Sequence, residues 1–289
     1  MRGVYLLAIG SAALYGAADF VGGFATRRAS TTSVVLLSQA TGLVLVALFL
    51  PLLPRAAPLG PDVFWGAVAG VTGVVGVALL YRALSIGTMA VIAPTTAVCA
   101  VAIPVAVSVL LGERPAPLAV AGIALGIGSI ILVSRQTTPE SGTERPSGER
   151  RLGPGVGTAL ASGVAIGLFL LSFAQTRAEA GMWPLLVARL VSVSLFGTIA
   201  LARRRSLRMP RRVAGLAIVG GAGDMLANAL YLLAAQAGPL GIVVTLSSLY
   251  PASTVLLARV VLGERLNSWQ IVGVGCALTA IVLIVRGAA

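Results

Sequence analysis

The 289-residue sequence has no lysine and no histidine; all 21 of its basic residues are arginines. The lysine-bearing phosphate loop of nucleotide hydrolases, Gly-x-x-x-x-Gly-Lys-Ser/Thr, is therefore excluded. Without histidine, and with only nine scattered acids, there is little from which to build an interfacial metal or acid–base centre. The cysteines number two, Cys99 and Cys276. Both lie in apolar stretches without a neighbouring metal ligand, so a disulfide framework and a metal site are both disfavoured. Charged residues make up only 10% and aromatics 5% of the chain.

What remains is apolar. Hydrophobic residues reach 57% and the mean hydropathy is +0.99, more than a soluble domain can hide from water. The chain reads as a membrane protein. The net charge of +12 does not indicate nucleic acid, because the arginines fall in short loops between apolar spans, as membrane topology requires. The first span carries Arg2 and then a long apolar run. It is too long for the core of a signal peptide and is read as retained.

A hydrocarbon core of about 30 Å needs about 20 helical residues. On that measure ten spans fit, near 4–26, 33–53, 63–86, 89–111, 117–134, 154–176, 182–202, 212–236, 240–262 and 268–285. They must be helices, because lipid offers no partner to exposed backbone groups. Residues 135–153, RQTTPESGTERPSGERRLG, are polar and carry two prolines, and read as a linker. The expected organisation is a first five-helix repeat at 1–134, the linker at 135–153 and a second repeat at 154–289. Pro117 suits a first helical turn, and Asn267 with Ser268 can cap the last span. Trp65, Trp183 and Trp269 stand at span starts, where indoles anchor. Gly66, Gly70, Gly73 and Gly76, and also Gly122 and Gly126, have the spacing that lets helices approach closely.

The halves are copies. Gly87 to Arg114 reads GTMAVIAPTTAVCAVAIPVAVSVLLGER, and Gly238 to Arg265 reads GPLGIVVTLSSLYPASTVLLARVVLGER. Arg114 recurs as Arg265 and Arg135 as Arg286, both at an offset of 151 residues, while Tyr81 and Tyr231 differ by 150. Self-similarity at a fixed offset marks an internal duplication. With five spans in each half, the halves face opposite ways, the usual build of secondary transporters. The fold expected is an all-α integral membrane protein of ten transmembrane helices arranged as two inverted five-helix repeats.

Two five-span halves, each with a proline-bearing fourth span closing on Leu-Gly-Glu-Arg, resemble the EamA family of the drug/metabolite transporter superfamily. The resemblance covers essentially the whole chain. It implies a multi-pass transporter of the cell membrane with both termini in the cytoplasm. One position departs: Ala100 stands where the second half has Pro251, with Pro94 and Pro104 on either side. The first copy is expected to bend elsewhere.

Polar residues at membrane depth are costly and are read as functional candidates. Asp19 lies about seven residues from the end of the first span and Arg82 about four from the end of the third. Their depths differ by about 5 Å at 1.5 Å per residue, so an ion pair is expected. Asp224 sits in mid-span, with Asn228 and Tyr231 on the same helical face. Arg189, about seven residues into the seventh span, reaches toward it. Pro251 leaves the Ser247 carbonyl without a donor, so the ninth helix should break there, with Ser247, Ser248, Ser253 and Thr254 satisfying the break and Tyr250 beside it. Tyr81 completes the candidate set. Arg259 is expected to reach the headgroups, and Glu113 and Glu264 to close interfacial turns.

The function that follows is an exporter or exchanger of a small organic metabolite or drug-like solute. It needs no cofactor and is not an enzyme. Protons are the candidate coupling ion, with Asp224 first and Asp19 second as carrier. Its partners are the solute and the lipid bilayer; substrate, direction and oligomeric state are left open. Two other readings are an intramembrane enzyme acting on lipid-linked substrates and a non-transporting subunit. Reconstituted flux separates the first reading from both.

The arginines also bear on orientation. Five lie on the side of the termini and thirteen on the other, which by the positive-inside rule puts the termini outside the cytoplasm. The family resemblance implies the reverse. Leu207→Cys in a background lacking Cys99 and Cys276 decides between them in intact cells. Protection from an impermeant thiol reagent is the outcome the charge count favours; labelling places that loop outside and the termini in the cytoplasm.

Overall fold

The computed structural model describes residues 2–52, 56–112, 116–134, 154–204, 207–237 and 240–288. Among these, all regular structure is helical. The helices are α1 (Arg2–Thr26), α2 (Thr31–Phe49), α3 (Gly60–Ile86), α4 (Met89–Leu110), α5 (Pro117–Ser134), α6 (Val156–Ala174), α7 (Trp183–Ala202), α8 (Arg211–Ala237), α9 (Leu240–Ser247), α10 (Tyr250–Leu262) and α11 (Ser268–Ala288). Eight are long and apolar enough to cross a membrane; Pro117–Leu132 and Tyr250–Leu262 are shorter apolar helices. The linker 135–153 and the pair Glu113–Arg114, both singled out in the sequence, lie outside the described residues.

The starts of these helices are encoded locally. Ser30 caps α2 by accepting the Ser33 backbone N–H at 3.2 Å. The Asp62 carboxylate accepts the Leu59 N–H at the head of α3. α5 begins at Pro117, where the missing N–H costs nothing. At α11 Asn267 caps the helix as the sequence indicates, with Gln270 as its partner. Each side chain accepts the other's backbone N–H, at 2.8 and 3.1 Å, in a reciprocal capping box.

Shifting the first half by 151 residues superimposes α1 on α6, α2 on α7, α3 on α8, α4 on α9 with α10, and α5 on α11. The hydrogen bonds between halves obey the same exchange. Ser11 on α1 donates to the Ala227 carbonyl on α8 at 2.9 Å; its counterpart Ser162 on α6 donates to the Gly76 carbonyl on α3 at 2.8 Å. Thr96 on α4 donates to Ala159 on α6, and its counterpart Ser247 on α9 donates to Ala8 on α1. An operation that carries each half onto the other in both directions is a two-fold. The chain is thus a pair of inverted repeats, and each repeat packs its first helix largely against the other. α1 lies on α8, α9 and α10, and α6 lies on α3 and α4.

The two copies of the fourth span differ. α4 continues unbroken through Pro94 and Pro104. Its counterpart stops at Ser247 and resumes at Tyr250, just ahead of the buried Pro251. The hydroxyls near this break do not all serve it, as had been expected. Ser248 back-bonds to Val244 within its own helix at 2.8 Å. Ser247, Ser253 and Thr254 instead donate to the α1 carbonyls of Ala8, Ala12 and Gly16. The broken helix is tied to α1 rather than to itself.

Gly66, Gly70, Gly73 and Gly76 of α3 are at contacts. A Cβ on Gly70 would stand 2.7 Å from the Ala188 carbonyl oxygen and 2.8 Å from the Val191 Cβ, and one on Gly76 2.7 Å from Ile166. Outward positions such as Leu6, Leu48, Val219 and Val260 are exposed and apolar, as a lipid-facing surface requires. Overpacking a tight contact costs roughly 1–3 kcal/mol. Gly70→Ala is therefore expected to lower the thermal midpoint of the detergent-solubilised protein by several degrees. Gly128→Ala, with nothing within 4 Å, is expected to leave it unchanged or higher; equal midpoints for the two variants would remove the close approach of α3 and α7 from the account.

Candidate functional site

The inward polar residues come from six helices in both repeats. Tyr15 and Asp19 are one turn apart on α1, Ser38 and Gln39 adjoin on α2, and Tyr81 lies on α3. Arg189 is on α7, Asp224 is the central residue of α8 with Asn228 and Tyr231 beyond it, and Tyr250 opens α10.

The Arg189 guanidinium is the hub. It donates to the Asp224 carboxylate from one side and to the Gln39 side-chain oxygen from the other, so α7 is tied to α8 and α2. The side chains are mostly enclosed, 12% exposed for Arg189 and 27% for Asp224. The reach from Arg189 to Asp224 is as the spacing predicts. Gln39 was not anticipated; its amide in an otherwise apolar span was the signal. The guanidinium lies beside Gly42, 3.4–3.6 Å from where a Cβ would stand, an ordinary van der Waals contact. Its Nε is a buried nitrogen without a hydrogen-bond partner.

Asp19 is arranged differently. It makes no hydrogen bond or ion pair with the described residues and sits within electrostatic reach of Asp224, Tyr15, Tyr81 and Tyr250. The Tyr15 and Tyr250 rings meet edge to face, centroids 6.4 Å apart. Tyr81 comes from the far side. The hydroxyl-bearing end of its ring occupies the space over Gly22, 2.1 Å from where a Cβ would be. Tyr15, one turn before Asp19, was missed in the sequence because a single aromatic on an apolar helix gives no signal by itself.

Several expectations are corrected. Arg82 does not pair with Asp19: it is exposed, while its neighbour Tyr81 is buried. A depth difference within reach of an arginine side chain was a necessary condition but an incomplete one, since adjacent helical residues point about 100° apart and Tyr81 takes the inward direction. Asn228 donates to the backbone carbonyl of Asp224 at 2.8 Å, so its amide nitrogen serves its own helix. Tyr231 packs among Val4, Ala8, Ala234 and Val243, toward the end of α8. Arg259 is exposed at the end of α10, as expected for a residue reaching the headgroups.

Two clamps lie at helix ends. Glu264 accepts the N–H groups of Met89 and Ala90 at 3.1 and 3.0 Å, and Arg27 approaches it at 3.5 Å. A carboxylate at a helix N-terminus satisfies orphan donors and complements the dipole. The turn that Glu264 secures is therefore the start of α4 in the other repeat. Asp62, its side chain 1% exposed, receives the Arg177 guanidinium at 2.7 Å and the Arg177 N–H at 3.0 Å. The side-chain hydrogen bonding to Asp62 holds the pKa of the Arg177 guanidinium above its ordinary value. Neither clamp faces the central tyrosines.

This is a multi-pass helical membrane protein made of two inverted repeats, with a polar, partly accessible centre where they meet. A profile of the EamA-like transporter family matches residues 2–135 and again 153–286, and the chain belongs to that family of membrane transporters. A search of curated proteins finds no match. Solved structures do match, one of them described as "Crystal structure of protein". It aligns with a TM-score of 0.62 at 17% identity, over 95% of this chain and 94% of that one. At that identity the likeness concerns the fold.

The pair at the hub is testable as a unit. Arg189→Gln leaves two carboxylates in the core without a cation and is expected to reduce folded yield sharply. Arg189→Gln combined with Asp224→Asn restores neutrality and should recover much of it. Residues in direct contact typically couple by about 0.5–3 kcal/mol. Additive losses in thermal midpoint across the cycle would mean that the pair contributes no coupling.

Proposed function

We propose that this protein is a secondary transporter that exports or exchanges a small organic solute across a cell membrane, using ten spans. In this reading the eight long helices are joined by α5 and by the composite of α9 and α10. The observation that carries the proposal is the gathering of Tyr15, Asp19, Tyr81, Arg189, Asp224 and Tyr250 from both repeats at one place beside an interrupted helix. Secondary transporters bind where inverted repeats meet, at discontinuous helices.

The two carboxylates divide the work. Asp224 has its charge matched by Arg189 and positions the α7–α8 wall. Asp19, which has no cation beside it among the described residues, must be compensated by a proton, by a coupling cation or by the solute itself. Coupling then follows if that compensating charge is exchanged as the site opens to each side. The groups facing Asp19 are Tyr15 on its own helix, Tyr81 on α3, Asp224 on α8 and Tyr250 on α10.

Purified full-length protein in proteoliposomes loaded with a mixed small-metabolite extract tests the reading by mass spectrometry of the efflux. At least one solute is expected to leave faster than from empty vesicles, and faster still with an imposed pH gradient. Asp19→Asn, if monodisperse, should lose the acceleration by the gradient. Folded protein that moves no solute under any gradient would end the transporter reading. Unchanged gradient dependence in Asp19→Asn would move the coupling role to Asp224.

A further inference from the structure

We propose that the solute is a monovalent organic cation, an amine or quaternary ammonium, seated on the Asp19 carboxylate among the rings of Tyr15, Tyr81 and Tyr250. The inference rests on the transport reading above and names its substrate class. It begins with a charge count. Of the charged residues inside the described spans, Arg82, Arg211, Arg212, Arg259 and Arg286 are exposed, and Asp62 at the start of α3 is held by Arg177. The interior set is Asp19, Asp224 and Arg189. Arg189 is occupied by Asp224 and Gln39, so the centre carries one carboxylate more than it has cations.

A bare carboxylate at membrane depth costs at least a few kcal/mol, and a structure retains one where something else compensates it. An anionic solute would meet Asp19 and Asp224 together, with the Arg189 guanidinium already engaged. A neutral solute would contribute nothing to that compensation and leave it to a proton or a coupling ion. A cation supplies what is missing.

The walls fit the same class. Cations are attracted to the faces of aromatic rings, most strongly where water is excluded. Tyr15 is one turn from Asp19 on the same face of α1, and Tyr250 meets it edge to face. Tyr81 reaches over α1 because Gly22, one turn beyond Asp19, has no side chain to block it. Any side chain at Gly22 would displace the tyrosine. Asp19, Tyr15 and Asp224 all retain partial exposure, so the carboxylate is reachable rather than sealed in packing. The site is also single. At the offset of 151 the counterparts of Tyr15, Asp19 and Tyr250 are Ile166, Leu170 and Cys99. The second repeat cannot form a copy of it.

The test uses the full chain in lipid nanodiscs and four probes of one shape: benzyltrimethylammonium, benzylamine, benzoate and benzyl alcohol. Equilibrium binding is expected for the two cations and at least tenfold weaker binding for the other two. Asp19→Asn should weaken ammonium binding at least tenfold, Asp19→Glu much less, and Gly22→Ala at least threefold through Tyr81. Benzoate binding as tightly as the ammonium, or ammonium affinity in Asp19→Asn within threefold of wild type, overturns the proposal. The first comparison needs no variant, so a variant that fails to fold does not remove the test. Metabolite efflux in vesicles without cation binding would overturn the substrate class and leave the transport reading standing. Cation binding without any flux would do the opposite.

Discussion

The structure depends on a few places where two helices come close enough for a hydroxyl on one to reach a backbone carbonyl on the other. Lipid supplies no hydrophobic drive between helices, so close packing and polar contacts must hold them together. The bonds from Ser11 to Ala227 and from Ser162 to Gly76 are such contacts. They need small residues at the crossing, and Gly70 and Gly76 provide them along α3. With these contacts in place, the first helix of each repeat is committed to the other repeat, and the polar centre forms where the two exchange.

That frame is symmetric and its lining is not. Asp224 has Gly73 as its counterpart, Arg189 has Ser38, Gln39 has Leu190 and Asn228 has Val77. Duplication set the helix positions, while the charges were placed independently in each copy. The same independence shows in the fourth spans, where Pro94 and Pro104 sit within a continuous α4 and Pro251 follows a true interruption. A helix can absorb a proline when neighbours rescue the freed carbonyl. In the second copy three hydroxyls are turned toward α1 instead.

Much of the fold was legible in the sequence. The duplicated Leu-Gly-Glu-Arg motif and the constant offset give the repeats, and apolar run lengths give the helices to within a few residues. At the site, depth along a span was enough to bring Arg189 to Asp224. It was not enough for Arg82, because pairing also needs rotational phase, which apolar spans of low amphipathicity do not disclose. Asn228 and the serines went partly astray for a related reason. A hydroxyl or amide can bond its own helix or a neighbouring one, and only the packing decides. Glu264 was read as closing its own turn, but the N–H groups it serves lie about 175 residues earlier, a distance that no local pattern conveys. Tyr15 and Gln39 are visible in the sequence as residues but not as a site.

The bond from Ser11 to Ala227 spans 216 residues, and this has a consequence for biogenesis. A ribosome delivers α1 long before α8, and α9 and α10 later still. During that interval the helix carrying Tyr15 and Asp19 is in the bilayer without most of the surfaces that will enclose it. Its carboxylate and small-residue face must be sheltered by provisional neighbours, by the insertion machinery or by lipid headgroups. The first half cannot mature by itself and hand a finished unit to the second. The centre closes around the first helix only once α8, α9 and α10 have been delivered to it.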